Sequence, residues 1–216
     1  MKIKVNINIF LFCILFVITN QIELYALSML FALIHEIGHL LMGVFLSYEV
    51  ETFRIMPLGF SIEFKEKIEK YNKKIFKSQK VVLDKMLIAM AGPITNLIII
   101  LILIIVKNSN LNLIYSNLII MLFNLIPIYP LDGGRIILNL FKLFKENKKA
   151  YTYTNTISNV FIIILTIISS IAIYYYKNIA ILLVLFTLWG LNIKENKRYN
   201  IYYKIYQTID KQNDYL

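Results

Sequence analysis

Residues 31–43 read FALIHEIGHLLMG, and they hold both histidines of a 216-residue chain, with a glutamate between them, in an otherwise oily stretch. On a helix His35 and His39 stand about 40° apart around the axis and one turn along it, so both imidazoles reach a single ion. With Glu36 they form HExxH, the pattern in which two histidines bind zinc and the glutamate handles the proton of the attacking water. The surrounding Leu, Ile, Phe and Met offer no competing ligand. The plainer alternative is a histidine pair that satisfies a helix interface beside an incidental acid. An acid at mid-span costs about 2.5 to 3.5 kcal/mol, however, and such groups are retained in membranes for function.

The oily setting extends outward. The chain is 58% hydrophobic with a mean hydropathy of +0.65, which excludes an ordinary soluble domain. Spans of about 20 apolar residues are expected at roughly 5–19, 24–46, 84–106, 111–130, 157–176 and 178–193. The expected fold class is an all-α polytopic membrane protein of about six transmembrane helices. Residues 1–193 would form one membrane domain, with its core at about 24–145, and residues 194–216 a short basic tail.

A net charge of +10 suggests nucleic acid, but its distribution follows the membrane instead. With the N-terminus inside, Lys2 and Lys4, eight basic residues in 47–83, Lys85, five in 131–156 and five in 194–216 share one side. Only Lys107 and Lys177 face the other. This positive-inside bias places both termini in the cytoplasm and makes a nucleic-acid partner unnecessary. The basic start and apolar run after it resemble a secretory signal without its cleavage site, so an uncleaved first span is expected. Cys13 is the only cysteine, which excludes an intrachain disulfide and a multi-cysteine metal site.

In the first loop, Phe53 and Ile55, then Phe60, Ile62 and Phe64, alternate with other residues around Pro57 and Gly59, the pattern of a short β-hairpin. The stretch from Lys65 to Lys80 reads as a solvated connector in preference to an interfacial helix, because its apolar residues are sparse. A catalytic zinc takes three protein ligands and keeps one position open. Of four aspartates, Asp210 and Asp214 lie in the tail and Asp84 begins a span; Asp132 sits in FNLIPIYPLDGGRII. Pro127, Pro130, Gly133 and Gly134 should break or unwind that segment, and irregular backbone at membrane depth suits a watery, protein-lined site. Asp132 is therefore the candidate third ligand.

IHEIGHLLMG and NLIPIYPLDGGR, with AGPITN at 91–96 between them, resemble the site-2 protease family of intramembrane zinc metalloproteases. The loop SYEVETFRIMPLGFSIEF and the span layout are similar to its sporulation subgroup, which processes pro-sigma-K. The resemblance implies one zinc held by His35, His39 and Asp132, with Glu36 as general base. It implies Asn124 beside the scissile peptide, on its backbone or its developing oxyanion. Asn96 would lie nearby, either toward substrate or as a satisfied interhelical amide. Gly92 and Pro93 are expected to allow close helix packing and a bend. The implied partners are the bilayer, a membrane-associated protein substrate and regulatory membrane proteins. Two departures stand out: Phe60 follows Pro57, Leu58 and Gly59 where many relatives read PLGG, and neither a CBS nor a PDZ domain is expected. The competing functions are cleavage of a membrane-anchored anti-sigma factor, and a non-hydrolytic zinc transporter or scaffold.

Overall fold

A computed structural model describes residues 2–57, 59–65, 75–107, 110–176 and 180–213. They fall into two compact units, residues 1–125 and residues 126–216.

The first unit opens with strand β1 (Lys2–Val5) and helix α1 (Asn8–Ile18). Asn6 Oδ1 accepts the Asn8 N–H and so starts the helix. Eleven residues span only about 16 Å, roughly half of a bilayer core. The first span expected at 5–19 is thus shorter, because residues 2–5 are drawn into a sheet. Asn20, at φ 55°, ends α1 in a left-handed turn, and the Gln21 N–H returns to the Phe16 carbonyl. The chain reverses directly into α2 (Ile22–Phe45), against which α1 stacks Phe16 on Tyr25.

The expected hairpin forms as β2 (Val50–Met56) and β3 (Gly59–Phe64), antiparallel, with Phe53 opposite Ile62 and Ile55 opposite Phe60. β1 adds in parallel to β2, Ile3 opposite Phe53, giving the order β1-β2-β3 and a third strand that the sequence did not announce. Lys65 and Glu49 close the hairpin's base at 2.7 Å, and that ammonium holds the exposed Glu49 carboxyl below its ordinary range. β3 is an edge strand, and it lies on α2. The Tyr25 hydroxyl donates to the Pro57 carbonyl at 2.9 Å, Phe60 joins the cluster of Phe31, Ala32 and Ile120, and the Phe64 ring closes on Gly43.

Helices α3 (Ile75–Ile105) and α4 (Leu111–Leu125) complete this unit and pack on α2. The connector expected from Lys65 lies mostly outside the described residues, and α3 already begins at Ile75.

The second unit contains α5 (Asp132–Phe144), α6 (Asn147–Tyr176) and α7 (Ala180–Asn213). α4 stops at Leu125 and regular helix resumes only at Asp132, so the stretch with Pro127 and Pro130 is non-helical, as expected. A Cβ on Gly134 would meet the carbonyl carbon of Ile128 at 2.5 Å, so a side chain there would push this loop off the helix start. Ser158 Oγ on α6 accepts the Tyr129 N–H at 2.9 Å and anchors the loop. The region 131–156, read as a cytoplasmic loop, is mostly helical: Ile137, Leu138, Phe141 and Phe144 recur at helical spacing and make α5 amphipathic. The expected tail likewise continues α7 to Asn213. α6 and α7 are joined by polar contacts, with Asn159 Oδ1 accepting from the amides of Asn192 and Asn196 and the Trp189 indole donating to Thr166.

Ile22–Phe45, Gln79–Ile105 and Asn147–Tyr175 are long and apolar enough to cross a membrane; Asn8–Ile18 and Leu111–Leu125 are shorter apolar helices. Large apolar side chains such as Phe45, Ile105 and Ile168 are exposed on these helices, as lipid contact requires. The chain is an all-α polytopic membrane protein carrying one small sheet.

Candidate metal centre

The centre is built from the middle of α2. Its long apolar side chains favour helix and hold the backbone groups satisfied through the bilayer, so the polar side chains are carried on a rigid rod. His35 and His39 are each 3% exposed and Glu36 6%. The two imidazoles meet edge to face, with Nε2 of one 3.2 Å from Nε2 of the other.

The other ring nitrogens explain why. His39 Nδ1 lies 2.6 Å from the backbone carbonyl of Ile88 on α3. A carbonyl can only accept, so Nδ1 donates, and in a neutral imidazole Nε2 is then left with its lone pair. His35 Nδ1 lies 2.5 Å from Asn96 Oδ1, also on α3. Two imidazoles thus present unprotonated Nε2 atoms to the same point, each held from behind by an oxygen, which is the arrangement of metal-binding histidines. Two Nε2 lone pairs converging at this spacing suit two positions on one metal ion, so the donor set fits zinc. α3 passes this point at Gly92, leaving no side chain between it and the two Nε2 atoms.

Glu36 turns away toward the sheet, where its Oε1 accepts the N–H of Ile62 on β3. Asn96 is an interhelical amide. It is fully buried, accepts from His35 and donates through Nδ2 to Asn117 Oδ1 on α4. Asn124 occupies the last turn of α4, half-buried, with its amide on the Ile120 carbonyl at 3.0 Å. His35, Glu36, His39, Asn96 and Asn124 all belong to the first unit, and Asp132 to the second. Asp132 is 4% exposed in the first turn of α5, where the helix dipole favours a carboxylate, with Arg135 at 3.8 Å.

Three groups escaped the sequence reading. The Ile88 carbonyl and the Ile62 N–H are backbone atoms, which residue types do not reveal. Asn117 did leave a signal, as a lone amide in the apolar run LIYSNLIIM, and polar residues in such runs commonly bond across helices.

Comparison with known proteins gives a family and a fold. Residues 23–111 and 108–168 match the sequence pattern of peptidase family M50. The chain is 27% identical over 158 residues to stage IV sporulation protein FB of Bacillus subtilis, covering 69% of this chain and 51% of that protein. It is 27% identical over 208 residues to zinc metalloprotease MJ0392 of Methanocaldococcus jannaschii, covering 88% and 52%. The chain therefore spans about half the length of the curated relatives it matches. Its fold resembles the solved site-2 protease from Methanocaldococcus jannaschii with a TM-score of 0.65, at 23% identity over 90% of this chain and 91% of that one. With the two histidines, Glu36 and the intervening α3 all inside the matched residues, the chain belongs to peptidase family M50.

Proposed function

We propose that the chain is an intramembrane zinc metalloendopeptidase in which His35, His39 and Asp132 hold the ion and Glu36 is the general base. The observation that carries this reading is the pair of Nε2 atoms 3.2 Å apart, each with its Nδ1 committed to an oxygen, one residue from a buried glutamate. Asp132 is the third ligand because catalytic zinc takes three protein donors, no further histidine exists in the chain, and this carboxylate is buried like both imidazoles.

Zinc bound at these donors supplies a Lewis acid for the scissile carbonyl and for water. Glu36 takes the proton of the attacking water on a carboxylate oxygen and delivers it to the leaving amine nitrogen. The N–H from β3 orients that carboxylate. A substrate peptide in a helix has its carbonyl already bonded, so it must unwind before attack. The edge of β3 offers backbone partners for the extended form. Asn124, one turn beyond the Ile120 that packs on α2, contacts the substrate backbone.

The substrate class is a membrane-associated pro-protein. The likeness to a sporulation protein makes a pro-sigma factor such as pro-sigma-K the first candidate, ahead of a membrane-anchored anti-sigma factor. The test pairs bound zinc with cleavage of a co-expressed pro-sigma-K. Glu36→Gln should keep zinc while turnover falls at least about a hundredfold, the scale of losing a general base. Cleavage at the parental rate with zinc bound would remove Glu36 from the mechanism and leave a zinc-binding scaffold or transporter as the better reading.

A further inference from the structure

We infer that Asn117 is a positioning residue: acting through Asn96, it sets which nitrogen of His35 carries no proton and can bind the metal. The inference rests on His35 being a zinc ligand, as proposed above.

The chain of bonds begins at a group that cannot change its role. The backbone carbonyl of Asn96 only accepts, and Asn117 Nδ2 donates to it at 2.9 Å. That orients the Asn117 amide, because the flipped amide would set oxygen against oxygen. Asn117 Oδ1 therefore accepts, and Asn96 Nδ2 donates to it. With its Nδ2 so committed, Asn96 turns Oδ1 to His35 Nδ1, at 2.5 Å. An amide oxygen cannot donate, so Nδ1 carries the proton and Nε2 the lone pair. Both asparagines are fully buried, and water does not compete for these bonds.

The two ligands are thus set by different means. His39 is fixed directly by a carbonyl of α3, whereas His35 depends on a side chain of α4 two bonds away. Without Asn117, Asn96 can turn over and present Nδ2 to His35, which selects the opposite tautomer and places a hydrogen on the nitrogen that should bind metal. Outer partners of metal-bound histidines typically change affinity by about 10- to 100-fold.

The test uses the full chain in detergent, with 15N-labelled histidine and the metal stripped. Both histidines of the unsubstituted protein are expected to show the Nδ1–H tautomer. In Asn117→Leu, His35 should become a mixture of tautomers while His39 stays as it was, and zinc affinity by chelator competition should fall about 10- to 100-fold. Asn117→Asp should restore both readouts, because a carboxyl accepts from Asn96 Nδ2 in either protonation state. Asn117→Ala replaces the leucine variant if that one does not fold. An Nε2–H His35 in the unsubstituted protein overturns the inference without any variant, as does parental affinity in folded Asn117→Leu. His35→Ala separates the two levels. Undiminished zinc binding there sinks the ligand assignment itself, whereas zinc lost in His35→Ala but kept in Asn117→Leu sinks only the role of Asn117.

Discussion

A methyl group on Gly92 would stand 2.5 Å from Nε2 of both His35 and His39, in the space where their lone pairs converge. The sequence suggested helix packing for this glycine, and close packing is what it allows, but against the two Nε2 atoms themselves. Gly92→Ala is expected to lower zinc affinity by at least about a hundredfold and, by overpacking, to cost about 1–3 kcal/mol of stability. Equilibrium dialysis with zinc and a thermal melt in one detergent check both. Parental zinc affinity would mean that the metal does not sit between these nitrogens.

At the scale of elements, the hairpin and α2 depend on each other. α2 holds the sheet at the Pro57 carbonyl through Tyr25, at the Ile62 N–H through Glu36, and at Phe64 through the gap beside Gly43. Two of these contacts are hydrogen bonds to side chains of one rigid helix, so the strand edge is positioned by the element that carries His35, Glu36 and His39. Tyr25→Phe removes one bond and little volume. A loss of about 1 kcal/mol should accelerate hydrogen exchange of the β2 and β3 amides roughly fivefold while leaving zinc binding unchanged. Unchanged exchange would show that the Glu36–Ile62 bond and the packing of Phe60 and Phe64 hold the hairpin without Tyr25.

For the whole molecule, the basic residues and the amphipathic α5 define the expected sidedness. Lys142 and Lys145 near the end of α5 lie over the rings of Tyr151 and Tyr153 on α6, an interfacial pairing of cations with aromatics. Reporter fusions at Lys74, Lys148 and Asn213 are expected to report cytoplasm together, because the basic segments there outnumber those of the opposite side. An extracytoplasmic signal at Lys148 would overturn the cytoplasmic sidedness expected from the basic residues and the six-span reading of the sequence.

By itself the sequence determined whatever depends on residue type and local spacing. Two histidines at i and i+4 around a glutamate, long apolar runs, an alternating hairpin and a proline-broken segment before Asp132 are all readable because each effect acts within a few residues. Where α1 begins, the helicity of α5, the third strand and the helical tail were missed. In the first and third, residues 2–5 answer to a partner strand some 50 residues away. In α5, amphipathic periodicity was passed over because the charge read as loop, and the tail was read as a tail from its basic charge. Only tertiary structure decided what stands behind His35, Glu36 and His39. The Ile88 carbonyl, the Ile62 N–H and the missing side chain at Gly92 act through backbone positions that no motif encodes. The Asn117–Asn96–His35 chain acts through bonds between three helices, and those exist only when the helices pack.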